Sequence, residues 1–150
     1  MSDTPREISV FICSPGDVRP ERVRAQAVVD RLSRTRFRDF NVKPYLWERE
    51  PLSSGAPFQK LIRRPSQCDI VVAILWSRLG SPLGTDPVTD LPVGPEVTGT
   101  TWELNDAWNA PGAPVRPRPL LYLKQDDIAY PTDPTLKREE RDALWTRMKA

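Results

Sequence analysis

The feature that most constrains the fold of this chain is an unbroken apolar run at its centre, IVVAILW at residues 70–76. A strand with one face in water alternates apolar and polar residues, whereas a strand covered on both faces is apolar throughout. The run is far shorter than the roughly 20 residues that a membrane-spanning helix needs. We therefore predict that residues 69–76 form a central strand of a parallel sheet, with helices packed on both sides.

Strand-like and helix-like segments alternate along the rest of the chain. Pro44 cannot donate a hydrogen bond to a neighbouring strand, so the strand that contains it is placed at a sheet edge. Four repeats of strand and helix predict an α/β fold with a parallel sheet. The other strands are predicted over residues 8–13, 41–47 and 119–124, and the helices over residues 20–35, 58–64, a segment that carries Glu103 and ends near 110–112, and 135–150.

The spacing of apolar residues also selects the buried faces of these helices. Trp108, four residues after Leu104, is predicted to lie in the core. Residues 77–98 contain four prolines and are predicted to form a mobile insertion before the Glu103 helix. The remaining candidates for burial are Ala25, Val28, Val29 and Leu32 in the first helix and Leu136, Ala143, Leu144 and Met148 in the last.

Composition limits the chemistry that this chain can perform. Its 150 residues suffice for one domain with a core, and a formal net charge of +2 gives no field that favours nucleic acid. The chain has no histidine and two cysteines, Cys13 and Cys68, so we expect neither a histidine-based mechanism nor a zinc site. Both cysteines adjoin predicted strands and are expected to be reduced thiols of a cytoplasmic protein. Cys13 is expected to be a buried core thiol rather than a nucleophile. A carboxylate is therefore the expected reactive group of any enzyme activity.

Glu103 is the leading candidate for that carboxylate. It lies in the segment GTTWELNDAW at residues 99–108, on the helix that follows the central strand and its loop. Ligands of parallel sheets bind at the carboxyl ends of the strands, where this helix begins. The pattern Thr100-x-x-Glu103 also fits a capping box, in which both side chains bind free backbone N–H groups. The two interpretations are compatible, because a helix N-terminus stabilises an ionised carboxylate.

Three segments together resemble bacterial TIR-like (Toll/interleukin-1 receptor-like) domains of antiviral-defence proteins: VFICSPGDV, CDIVVAILWSRLGSPLG and GTTWELNDAW. The resemblance covers about residues 8–124. It implies a flavodoxin-like three-layer fold with strand order 2-1-3-4-5, in which the strand with Pro44 again lies at an edge. A fifth strand would be missing or lie beyond the C-terminus. Residues 1–150 would form one TIR-like domain, at the N-terminus of a longer protein with a nucleotide-binding oligomerisation or sensor domain.

The resemblance also implies an activity. Many TIR domains cleave NAD⁺ at the nicotinamide–ribose bond with a helix glutamate, and Glu103 is similar in position to that glutamate. In this chain Trp102 directly precedes Glu103, whereas the tryptophan of the family motif stands further upstream. NAD⁺ would be the substrate, with no cofactor or metal, and self-association through TIR–TIR contacts would activate the domain. The motif also resembles nucleoside 2-deoxyribosyltransferases, and a third possibility is a non-enzymatic TIR adaptor.

The loop after the first strand contains Ser14, Gly16 and Asp17. Its position at the ligand-binding edge of the sheet favours binding of phosphate or ribose hydroxyls through backbone N–H groups and side chains. The alternative is a turn that caps the following arginine-rich helix. That helix carries no aromatic residues interleaved with its arginines, so we interpret its basic face as solvated or as an oligomer contact rather than a nucleic-acid surface.

Other predicted substrate-binding residues follow the second and third strands or adjoin Glu103. Aromatic rings there would stack on nicotinamide or adenine, and Arg78 would pair with the pyrophosphate. The alternatives are packing at the sheet edge and ordinary surface charge. The residues are Trp47, Glu48, Trp76, Ser77, Arg78 and Trp102.

Overall fold

The computed structural model describes residues 4–45, 63–110, 117–126 and 137–149, in which strands and helices alternate. The predicted elements agree with the observed ones within a few residues wherever both are described. The predicted helix over residues 58–64 lies almost wholly outside the described residues. In chain order the elements are β1 (Arg6–Cys13), a 3-10 turn (Gly16–Val18), α1 (Arg19–Arg34), β2 (Phe40–Tyr45), a second 3-10 turn (Pro65–Gln67), β3 (Ile70–Leu75), α2 (Gly99–Trp108), β4 (Arg118–Leu123) and α3 (Arg138–Lys149).

The four strands form one parallel sheet in the order β2-β1-β3-β4. This order confirms the predicted α/β flavodoxin-like fold. β2 lies at an edge, as Pro44 indicated, and Pro44 pairs with Val10 of β1. β3 lies inside the sheet, and each of its residues is buried or half-buried, as its unbroken apolar run predicted.

Helices cover both faces of the sheet, which gives the predicted three layers. On one face Val10 and Ile12 of β1 pack with Val18 and with Val29 of α1. On the other face Phe11 and Cys13 pack with Ala107 of α2. Alternate residues of β1 therefore point into separate cores, and Val18, in the turn that follows β1, belongs to the first of them.

The outer edge of the sheet at β4 is rich in exposed apolar side chains. Leu120, Leu121, Tyr122 and Leu123 are 43–58% exposed. Beside them an apolar groove of about 430 Å³ runs between α1, β3 and β4, and Val28 of α1 lines it. An exposed apolar groove of this kind is typical of an interaction surface. Within the described residues, no helix is long and apolar enough to cross a membrane.

Several predicted core residues are exposed instead. Val28 and Leu32 are 46% and 37% exposed, because α1 buries a narrower stripe centred on Val29. Trp108 is 68% exposed, since the buried stripe of α2 passes through Ala107 rather than through its neighbour. Ala143 of α3 is exposed as well. Leu136 lies outside the described residues, and the side chains of Leu144 and Met148 are not described.

Residues 77–98, which were predicted to be a mobile insertion, form a loop with internal backbone bridges. A hydrogen bond from Trp102 connects this loop to α2. Antiparallel bridges join Pro82 to Thr98 and Thr85 to Pro92 within the loop. The carboxylate of Asp86 accepts hydrogen bonds from backbone N–H groups at residues 88 and 89 and from the indole N–H of Trp102 at 3.1 Å. These bonds hold the pKa of Asp86 below its ordinary value, the bond from residue 89 most of all. Proline here fixes the path of a loop rather than freeing it.

Candidate active site

A polar cleft opens at the carboxyl ends of β1 and β3. Its volume is about 320 Å³, at the lower end of the range for small-molecule sites. The loop after β1, residues 80–83 after β3, and the start of α2 form its walls. The two strands are neighbours, but the chain leaves them toward opposite sides of the sheet. The cleft therefore lies at the topological switch point, where sheets of this kind bind ligands.

The cleft brings together three of the predicted site residues: Ser14, Gly16 and Glu103. Five others are described but do not line it, namely Asp17, Trp76, Ser77, Arg78 and Trp102. Trp47 and Glu48 lie outside the described residues.

Glu103 lies on the face of α2 that packs against the sheet. It belongs to the stripe Thr100, Glu103 and Ala107, whose members are all buried and follow helical spacing. The Glu103 side chain is therefore only 7% exposed, although it lines the cleft. A carboxylate at that degree of burial needs compensating polar or charged neighbours.

The N-terminus of α2 is capped differently from the prediction. Thr98, not Thr100, is the capping residue: its hydroxyl accepts a bond from the Thr101 N–H at 3.2 Å. In return, the hydroxyl of Thr101 accepts from the Thr98 N–H at 2.8 Å. Glu103 is thus the fifth residue of the helix, one turn beyond the cap. The capping interpretation of Glu103 is wrong, and the helix dipole acts on it weakly, because that effect falls off within the first turn.

Cys13, the last residue of β1, is fully buried and does not itself line the cleft. Its thiol donates to the Thr100 carbonyl at 3.6 Å. Burial raises the pKa of Cys13 well above its ordinary value, and the charge of Glu103 and a hydrogen bond to it raise the pKa further, against a smaller opposing effect of Arg22. The thiolate is the nucleophilic form of cysteine. Cys13 is therefore the inert core thiol that the sequence predicted.

Both thiols are expected to resist labelling in the native protein. Burial also raises the pKa of Cys68 to about 11, so only about one Cys68 thiol in a thousand is a thiolate at pH 8. We expect Ellman's reagent to label neither Cys13 nor Cys68 within minutes at pH 8, and to label both in denaturant. Rapid labelling of one thiol in the folded protein would show that its surroundings open readily.

Arg22 is a site residue that the sequence analysis missed. It is only 7% exposed and lines the cleft from α1. Its guanidinium Nη1 donates to the Ile12 carbonyl at 2.8 Å and to the Ser14 hydroxyl at 3.1 Å. The signal was present, because Arg22 follows the buried Val18 by four residues and precedes the buried Val29 by seven. An arginine inside an apolar stripe indicates a buried cation with specific partners.

The wall formed by residues 80–83 depends on glycine at its first position. Gly80 has a φ of +96°, and a Cβ added to it would lie 3.1 Å from the Thr100 hydroxyl oxygen. Gly84, in the same loop, also has a positive φ, +77°, but a Cβ there would meet no atom within 4 Å. Both positions therefore require a residue that tolerates a positive φ, but only at Gly80 would a Cβ also be crowded by a neighbouring atom.

The pair provides a matched test of how closely the loop approaches α2. An alanine at either position costs about 1–2 kcal/mol, because a positive φ is unfavourable for residues with a Cβ. We expect Gly80→Ala to lower the free energy of unfolding by about 1 kcal/mol more than Gly84→Ala, owing to overpacking against Thr100. Urea unfolding of the two variants measures the difference. Equal losses would mean that the wall does not pack tightly on Thr100.

Three predicted binding residues have other partners around the cleft. The indole N–H of Trp76 donates to the Asp126 carbonyl at 2.9 Å, and the Lys124 ammonium lies 4.5 Å from the ring centroid. Trp102 holds the loop after β3, through the bond to Asp86 described above. Arg78 is exposed, and its backbone N–H donates to Asp17 at 3.1 Å.

The arrangement provides one buried carboxylate and one buried guanidinium at the edge of a small polar cleft. Among the described residues, no three His, Cys, Asp or Glu side chains come together as a metal site would require. The chain was compared with protein-family models, with curated proteins and with solved structures. No family model, curated protein or solved structure matches it.

Proposed function

We propose that this protein cleaves an N-glycosidic bond at a ribose C1′, with NAD⁺ as the substrate and Glu103 as the essential carboxylate. The observation that carries the proposal is the position of Glu103: a buried carboxylate on the wall of a cleft, at the switch point of a parallel sheet. The resemblance of the three sequence segments to TIR-like domains supports the choice of substrate.

The reaction requires little from the protein besides a negative charge. As the bond to nicotinamide breaks, positive charge develops at C1′ and the ring oxygen of the ribose, and an ionised carboxylate stabilises it. Nicotinamide leaves as a neutral molecule, so no general acid is needed, in keeping with a chain without histidine. Water then adds to C1′ and gives ADP-ribose and a proton. The guanidinium of Arg22 lines the same cleft and provides a positive charge there.

We assign Glu103 to charge stabilisation rather than proton transfer, because nicotinamide leaves as a neutral molecule and needs no proton. Glu103 shares its cleft with the Arg22 guanidinium and lies against the Cys13 thiol. In a site of low dielectric, a fixed charge of this kind acts more strongly than it would in water.

A second candidate function, an adaptor that signals by self-association, is favoured by a different observation. The apolar residues 120–123 at the β4 edge are exposed, and an exposed strand edge can pair with another chain. The same surface would serve an enzyme that is activated by assembly, which we propose for antiphage defence in a bacterial cytoplasm. An adaptor would bind no substrate in the cleft, whereas the enzyme would bind NAD⁺ there.

One experiment separates these functions from each other and from a nucleoside N-glycosidase or deoxyribosyltransferase. The assembled protein is incubated with NAD⁺, and separately with 2′-deoxynucleosides, while nicotinamide and free base are followed by chromatography. Nicotinamide release supports the proposal. If base is released from 2′-deoxynucleosides and no nicotinamide is released from NAD⁺, the substrate is a deoxynucleoside rather than NAD⁺. If light scattering shows self-association but neither nicotinamide nor free base is released, the adaptor function is supported instead.

A further inference from the structure

Asp17 joins the two loops that form opposite walls of the cleft. It belongs to the 3-10 turn after β1, and its Oδ2 accepts three hydrogen bonds from the start of the loop after β3. The donors are the Ser77 N–H at 3.0 Å, the Ser77 hydroxyl at 2.7 Å and the Arg78 N–H at 3.1 Å. These contacts connect residues about 60 positions apart in the sequence. Asp17 itself does not line the cleft.

The contacts act directly on the cleft walls. Ser14 and Gly16, immediately before Asp17, line one wall, and residues 80–83, shortly after Arg78, form the other. Three bonds to one ionised oxygen are stronger than bonds between neutral groups. A shift of Asp17 would therefore move both walls relative to each other.

The other carboxylate oxygen of Asp17 indicates that this position is constrained. Oδ1 is buried and has no hydrogen-bond partner among the described residues. A buried acceptor without a partner is costly and calls for an explanation. The bonds to Ser77 and Arg78 explain it, because they hold the carboxylate in an orientation that leaves Oδ1 without a donor.

We infer that Asp17 is a positioning residue that ties the two walls of the cleft together and so shapes it for substrate. It touches no reacting atom; it acts through the backbone of residues 14–16 and 80–83. The kinetic part of this inference rests on the proposed function, whereas the structural part does not.

The structural part is tested by amide hydrogen exchange. In Asp17→Ala we expect three amides to exchange about tenfold faster or more: those of Ser77 and Arg78, which lose their acceptor, and that of Leu83 in the wall, which donates to the Val97 carbonyl at 2.9 Å. The Trp102 amide, bonded to the Thr98 carbonyl at 2.9 Å, serves as the internal reference and should not change. Asp17→Asn keeps one acceptor oxygen and should restore most of the protection. Ser77→Ala, which removes only one donor, should give a smaller effect in the same direction and serves if Asp17→Ala fails to fold.

The kinetic part separates positioning from general stability. We expect Asp17→Ala to raise the KM for NAD⁺ about tenfold and to change kcat by less than about threefold, with partial recovery in Asp17→Asn. Unchanged exchange at Ser77 and Arg78 overturns the inference whatever the activity. Faster exchange with an unchanged KM also overturns it. If the wild-type protein releases no nicotinamide, the proposed function fails, and exchange of the Leu83 amide in the wall decides the structural part: faster exchange supports the inference and unchanged exchange overturns it.

Discussion

Replacing Glu103 with glutamine is expected to lower the rate of nicotinamide release by about 10³-fold or more, because the charge that stabilises the ribosyl centre is lost. Glutamine has nearly the same shape and keeps a carbonyl oxygen, so the fold and the cleft should be retained. Release of nicotinamide from NAD⁺ at saturating substrate gives kcat. Circular dichroism and the urea midpoint show whether the variant is folded.

The matched control is Glu96→Gln. Glu96 is an exposed carboxylate in the loop before α2 and does not line the cleft. Its removal changes the net charge of the protein by the same amount, and activity should stay within about twofold of wild type, as for surface substitutions elsewhere. A folded Glu103→Gln variant that keeps more than about a tenth of the wild-type kcat would contradict the role of Glu103, because loss of a transition-state interaction lowers kcat.

The sequence predicted the sheet well because the relevant information is local. The apolar run of β3 and the proline in β2 each report the surroundings of a single strand. The position of Glu103 at the carboxyl ends of the strands could also be predicted from the sequence, because in a parallel α/β fold the helix after a strand begins there. One local pattern was ambiguous because several residues of one type compete. Thr98, Thr100 and Thr101 are all suitable caps, and the structure uses the first.

The contacts that complete the site could not be read from such patterns. Arg22 lies in a helix with several other arginines, and only its place on the buried stripe distinguishes it from them. Asp17 looks like an ordinary turn residue until the loop after β3 folds against it. Trp108 shows the opposite error: its spacing of four residues from Leu104 suggested the core, but a rotation of about 100° from the buried Ala107 places it in solvent.

The second large effect is expected at Arg22. Arg22→Gln should lower the free energy of unfolding by about 3–5 kcal/mol, the usual cost of removing one member of a buried charged group. The Ile12 carbonyl and the Ser14 hydroxyl lose their donor, and Glu103 loses the cation of its cleft. Urea unfolding measures the loss. Arg31→Gln, on the exposed face of the same helix, removes an equal charge and should change stability by less than about 0.5 kcal/mol.

A double-variant cycle then tests whether the two buried charges compensate each other. Both charges act on the Cys13 thiol, in opposite directions, so the two groups share one electrostatic environment. If Arg22 balances Glu103, the variant Arg22→Gln/Glu103→Gln should be more stable than the sum of the single losses by about 1–3 kcal/mol, because the second change removes the uncompensated charge left by the first. Strictly additive losses would show that the carboxylate depends on other partners. Arg22 would then matter for the Ile12 and Ser14 contacts alone.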